Sequence, residues 1–143
     1  MATSESTPKI NGRKLFDDIE AALRYFLVLK PAQYLAVSLW IIFTWVFHAE
    51  ISPRLHFRSP EKRCGKSTAL KVLSRLVCRP LLVSRITASA LFRSIELDRP
   101  TVLIDEVDSF MAANNDMRNL INSGMIKTRQ PSAWKCCNFE SGD

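Results

Sequence analysis

Gly65, Lys66 and Ser67 are the residues whose types and spacing point most directly to chemistry. They close the pattern G-x-x-x-x-G-K-[ST], a loop that cradles phosphate groups. A glycine lets the backbone come close to a ligand with no Cβ in the way. Backbone N–H groups, and the positive end of the helix that follows, attract phosphate oxygens. Lys66 would bring a full charge to the outer phosphates, and the Ser67 hydroxyl would ligate Mg²⁺. The first glycine of the pattern is missing, because Pro60 stands in its place. A Gly-Lys-Ser triplet alone is common by chance, so its surroundings decide. Arg54 to Arg58 alternates like a short strand. Thr68 to Val77 has the spacing of a helix, with Leu70, Leu73, Leu76 and Val77 on one side. Strand, loop and helix are the context the pattern needs. The contacts with a nucleotide would then come from Pro60, Glu61, Lys62, Arg63, Cys64, Gly65, Lys66, Ser67 and Thr68. Lys62 and Arg63 could equally face solvent.

Thr101-Val-Leu-Ile-Asp-Glu106 supplies the acids that such a loop requires. A continuous apolar run reads as a strand buried on both faces. Acids at its end fall at the carboxyl edge of a sheet, where open α/β folds bind ligands. Asp105 is the candidate metal ligand, with Ser67. Glu106 would orient and deprotonate an attacking water, so Glu106 and Lys66 are the candidate catalytic residues. The plain alternative is a surface turn carrying two solvated acids.

The step from Lys66 to Asp105 is 39 residues. It holds the loop helix, a strand near Leu81–Ser84 and a helix from Ala88 to Glu96, capped by Thr87 and striped by Leu91, Phe92 and Ile95. An extra strand therefore separates the two motif strands in sequence. The expected fold is α/β, a three-layer P-loop NTPase with a mostly parallel sheet in motor-type strand order. Two N-terminal helices precede it, and the core is expected to be incomplete.

With these residues in view, the chain resembles a domain family of unknown function found in phage-, plasmid- and prophage-borne P-loop ATPases, often beside primase or helicase parts. The resemblance rests on Ser59–Ser67, Arg79-Pro80, Ile86-Thr-Ala88, Ala90-Leu-Phe-Arg93, Leu103-Ile-Asp-Glu106 and Leu120-Ile-Asn-Ser-Gly124, and spans Leu15 to Cys137. Proline at the first glycine position is normal in that family. The resemblance implies ATP and Mg²⁺ as ligands of Gly65, Lys66, Ser67, Asp105 and Glu106. Met125 departs from the pattern, where a histidine is expected. It also implies that a strand bearing a polar γ-phosphate sensor lies later than this chain reaches. The chain then reads as truncated, needing self-association or a longer subunit to complete the site. Asn138 is the one sensor candidate within it.

Three regions are expected: a polar tail over 1–13, a helical layer over 14–50 and the nucleotide-binding core over 51–143. In the layer, Lys14 to Leu29 carries an amphipathic stripe of Leu15, Phe16, Ile19, Ala22, Leu23, Phe26 and Leu27. Tyr34 to Phe47 is fourteen residues without a charge, too short to span a bilayer and better read as a buried helix with Trp40 and Trp45 in the core. His48 is read as structural. Cys64, Cys78, Cys136 and Cys137 form no C-x-x-C pair, and no signal peptide precedes them. A reduced, cytoplasmic setting without membrane contact is expected. Asp108 is read as a helix cap, Asn114–Ile121 as a short helix and Ser132–Cys137 as a last strand at an open sheet edge. Glu140–Asp143 should fray. Net charge is +6 and pI about 9.4. The bases are scattered, so DNA contact is compatible but not indicated.

The sequence leaves three functions open. One is an ATPase of the helicase or motor kind, serving nucleic-acid replication or a mobile element. Another is a non-catalytic remnant that keeps the loop. The third is a phosphotransferase acting on a small molecule, against which the adjacent Asp105-Glu106 pair argues.

Overall fold

The computed structural model describes residues 9–45, 53–59, 65–84, 86–105 and 135–141. Two N-terminal helices are followed by alternating strands and helices around a small parallel sheet. The readings placed on the tail over 1–8, on His48, on Asp108, on the helix from Asn114 to Ile121 and on Met125 fall outside the described residues.

Helix α1 (Gly12–Phe26) starts where the Asn11 side chain accepts from the N–H groups of Arg13 and Lys14. That cap satisfies two donors that the first turn would otherwise leave open, so the helix begins two residues before Lys14 and takes in Gly12 and Arg13, which were expected in the tail. Its buried side chains are Ile19 and Leu23, with Leu27 just past the end. Leu15 and Phe26, expected on the same stripe, are exposed. The packed face is therefore narrower than the apolar face. Pro31 opens α2 (Pro31–Thr44), its fixed φ suiting the first helical position. Tyr34, Val37, Trp40 and Ile41 are buried, while Leu35 and Leu39 on the other side are exposed. The helix is thus apolar all round but covered on one side. Trp40 is in the core as expected, its Nε1–H donating to the Pro53 carbonyl at 2.9 Å. Trp45 is 58% exposed, which corrects its assignment to the core. Its ring lies outside while Nε1–H still reaches the Leu76 carbonyl at 3.0 Å.

The core proper runs β1 (Leu55–Ser59), α3 (Lys66–Leu76), β2 (Pro80–Val83), α4 (Ala88–Asp98), β3 (Thr101–Ile104) and β4 (Lys135–Ser141). All neighbouring strands are parallel, in the order β1-β4-β3-β2. The chain therefore crosses from β1 to the far edge and then steps back inward. Right-handed crossovers in opposite directions put α3 and α4 on opposite faces. The buried clusters agree. Leu103 and Cys137 pack with α1, α2 and α3 through Leu23, Ile41 and Leu73. Leu91 and Ile95 of α4 are buried outside that cluster. All four β3 residues are buried, as a strand covered on both faces should be.

Strand β4 corrects two expectations. It is not an edge strand, because it lies between β1 and β3, and the edges of the described sheet are β1 and β2. Nor does its end fray at Glu140, since Glu140 and Ser141 pair with Arg58 and Ser59. Backbone pairing with β1 holds this end of the strand whatever the polarity of its last side chains. The proline in β2 is its first residue on an edge, where a missing N–H costs the ladder nothing.

Candidate functional site

The start of α3 is built by Gly65. It is the N-cap with φ 86° and ψ 14°, a left-handed conformation that other residues adopt only under strain. No side chain caps this helix, and its first turn, Lys66-Ser67-Thr68, has no acid. The first intrahelical bond recorded at the cap is Ala69 N–H to the Gly65 carbonyl at 2.9 Å. The N–H groups of Lys66, Ser67 and Thr68 precede it, so the helix itself gives them no partner. Three backbone donors, the positive end of the helix and a lysine thus stand together in the first turn. That is the chemistry of an anion site. Lys66 is half-buried, while Ser67 and Thr68 are exposed. Leu70 and Leu73 anchor the opposite side of the helix in the core, which fixes the direction in which the first turn points.

Asp105 follows β3 directly. Its N–H still bonds to the Val83 carbonyl at 3.1 Å, so the ladder with β2 continues one residue past the strand. The residue is therefore held at the carboxyl edge and half-buried. Ile104 is level with Asn138, and Asn138 with His56. Because every strand is parallel, the end of β1, the end of β4 and Asp105 share one edge. β4 separates β1 from β3, so the line of Asp105 lies two strand spacings from that of β1, about 10 Å. Leu103 belongs to the α3 side of the sheet, and the two-residue period places position 105 on that side as well.

Of the residues singled out in the sequence, Gly65, Lys66, Ser67, Thr68 and Asp105 are on one edge. Pro60, Glu61, Lys62, Arg63, Cys64 and Glu106 lie outside the described residues. Asn138 sits on an interior strand, not beyond the sheet. A serine hydroxyl and a carboxylate are hard oxygen donors, and Mg²⁺ takes one or two protein ligands together with substrate phosphates and water. Among the described residues no three His, Cys, Asp or Glu side chains form an all-protein metal cage. The donor types present would suit a magnesium held partly by a phosphate chain, with Ser67 and Asp105 as the residues that would hold it.

One feature of the site was not read from the sequence. A cavity of about 620 Å³ opens beside the start of α3, bounded by β1, α2 and the connection between α1 and α2. No pattern in the sequence pointed to it; Phe26, assigned to the α1 stripe, is exposed at its wall, as is Val28.

Scans against protein-family models and against curated proteins give no match to this chain.

Proposed function

We propose that this chain is the ATP-binding core of a P-loop ATPase of the helicase or motor kind. The observation that carries the reading is the placement of β4. It sets the phosphate-loop strand and the acid-bearing strand one strand apart, with Gly65-Lys66-Ser67 and Asp105 on the same carboxyl edge. This is the separation expected of motor-type ATPases, in which an additional strand enters between the two motif strands. The two motif strands are about 10 Å apart, so a phosphate chain could lie over the end of β4 between them.

In this reading the N–H groups of the first turn of α3 and the Lys66 ammonium bind the phosphate oxygens. Ser67 and Asp105 hold Mg²⁺, which when bound neutralises phosphate charge. Glu106 orients the water and takes its proton. The role of the whole in nucleic-acid replication or mobile-element function, and the need for self-association or a longer subunit, follow from the family resemblance.

Turnover measurements on the parent and two variants test the reading. Glu106→Gln should keep Mg-ATP binding and lose hydrolysis by about 10²–10⁴-fold. Asp105→Asn should lose most of the magnesium dependence of binding. Parent-level hydrolysis by Glu106→Gln would remove Glu106 from the mechanism. Phosphate transfer to added alcohols in place of water would favour a phosphotransferase.

A further inference from the structure

We infer that the cavity between the α1–α2 connection and the start of α3 receives the adenine ring of the nucleotide. The inference rests on the phosphate site proposed above and names its base specificity. One cavity touches both Lys66 and Val28. A ligand filling it would present anionic groups at one end and a flat, weakly polar group at the other. Its volume, about 620 Å³, is within the range of small-molecule sites. Leu27, Val37 and Phe57 give it apolar walls.

The α1–α2 connection is held in a defined shape. The Tyr34 hydroxyl donates to the Leu27 carbonyl at 2.6 Å and accepts from the Leu29 N–H at 3.1 Å. The Arg24 guanidinium covers the Tyr34 ring at 4.3 Å. The Lys30 N–H is bonded to Gln33 Oε1 at 2.8 Å. Both neighbours of Val28 are thus tied to one side chain. Among the described residues nothing pairs with the N–H or carbonyl of Val28 itself. One backbone donor and one backbone acceptor on a single residue match the N1 acceptor and N6 donor of adenine. Guanine would bring an additional exocyclic donor. Among the described residues no carboxylate lines the cavity to receive it, and a buried donor left without a partner is costly.

Competition binding of Mg-ATP, Mg-GTP and magnesium tripolyphosphate to the parent, Ala36→Phe, Val28→Pro and Lys66→Ala tests the inference. Ala36 is an exposed residue of α2 at the cavity wall, so a larger side chain there fills the cavity without entering the core. Leu27 has φ −126° and ψ 145°, a conformation that tolerates a following proline. Val28→Pro therefore removes the donor with little strain upstream. The parent should bind ATP at least about tenfold tighter than GTP or tripolyphosphate, the value of roughly one good buried contact. Ala36→Phe and Val28→Pro should bring ATP down toward tripolyphosphate and leave tripolyphosphate unchanged. Lys66→Ala should weaken all three ligands. Equal affinity of the parent for ATP and tripolyphosphate would overturn the base cavity, and equal affinity for ATP and GTP its selectivity for adenine. Parent-level ATP affinity in both cavity variants, with binding still lost in Lys66→Ala, would refute the cavity and leave the phosphate site standing. No binding of any ligand to the parent would refute both.

Discussion

Replacing Gly65 by alanine separates what the backbone conformation costs from what the ligand needs. Gly65 has φ 86°, and among the described residues a Cβ built there meets no atom within 4 Å. The substitution therefore carries no clash, only the strain of a left-handed L-residue, about 1–2 kcal/mol. In a chain of this length that lowers Tm by roughly 3–8 °C. The effect on binding should be larger in kind. The added methyl stands at the helix start, where phosphate oxygens would approach the N–H groups of the first turn. Gly65→Ala should bind Mg-ATP at least about a hundredfold more weakly while unfolding cooperatively. Calorimetric melts and titration calorimetry on the same preparation give both numbers. An unchanged Tm would mean that residue 65 does not hold the left-handed conformation. A lowered Tm with parent-level ATP affinity would mean that phosphate does not approach there.

Other outcomes follow from packing. The Ser38 hydroxyl is buried and finds no hydrogen-bond partner among the described residues, so Ser38→Ala should raise stability by about 1 kcal/mol in denaturant titration. Arg99 ends α4 with φ 46°, and Arg99→Gly should raise Tm by a few degrees by relieving a left-handed residue at a helix end. Thr101 is buried and its hydroxyl donates to the Cys78 carbonyl at 2.6 Å. Thr101→Val should cost about 1–3 kcal/mol by leaving that carbonyl without its partner. Leu73 is fully buried where α3 meets α1, α2 and the sheet, and Leu73→Ala should cost about 2–5 kcal/mol.

Much of this arrangement was legible because local patterns and tertiary packing agree. The apolar run of Thr101–Ile104 is a buried strand. Thr87 caps α4 by accepting from the Ala90 N–H. Pro31 and the uncharged stretch after it form a helix, one too short to cross a membrane. The failures have a common physical source. Which side of an all-apolar helix is covered depends on its neighbours, so Trp45 could not be placed from α2 alone. The position of β4 depends on pairing across a long stretch of chain, and no side-chain period encodes which two strands it enters between. The exposed Phe26 looked like part of the stripe, because a cavity wall and a core face use the same residue types. The candidate site was legible at Gly65–Thr68 and Asp105, where chemistry is written in residue type. The cavity was not, because α1, α2, β1 and α3 line it together from stretches far apart in sequence.

The central claim is that a nucleoside triphosphate binds at the start of α3. Thermal melts of the parent and of Lys66→Ala, with and without Mg-ATP at a hundred times the dissociation constant, test it most directly. Binding should stabilise the parent by about 2.7 kcal/mol, a rise in Tm of several degrees, and the rise should vanish in Lys66→Ala. A parent that unfolds cooperatively at the same temperature with and without Mg-ATP would contradict the claim.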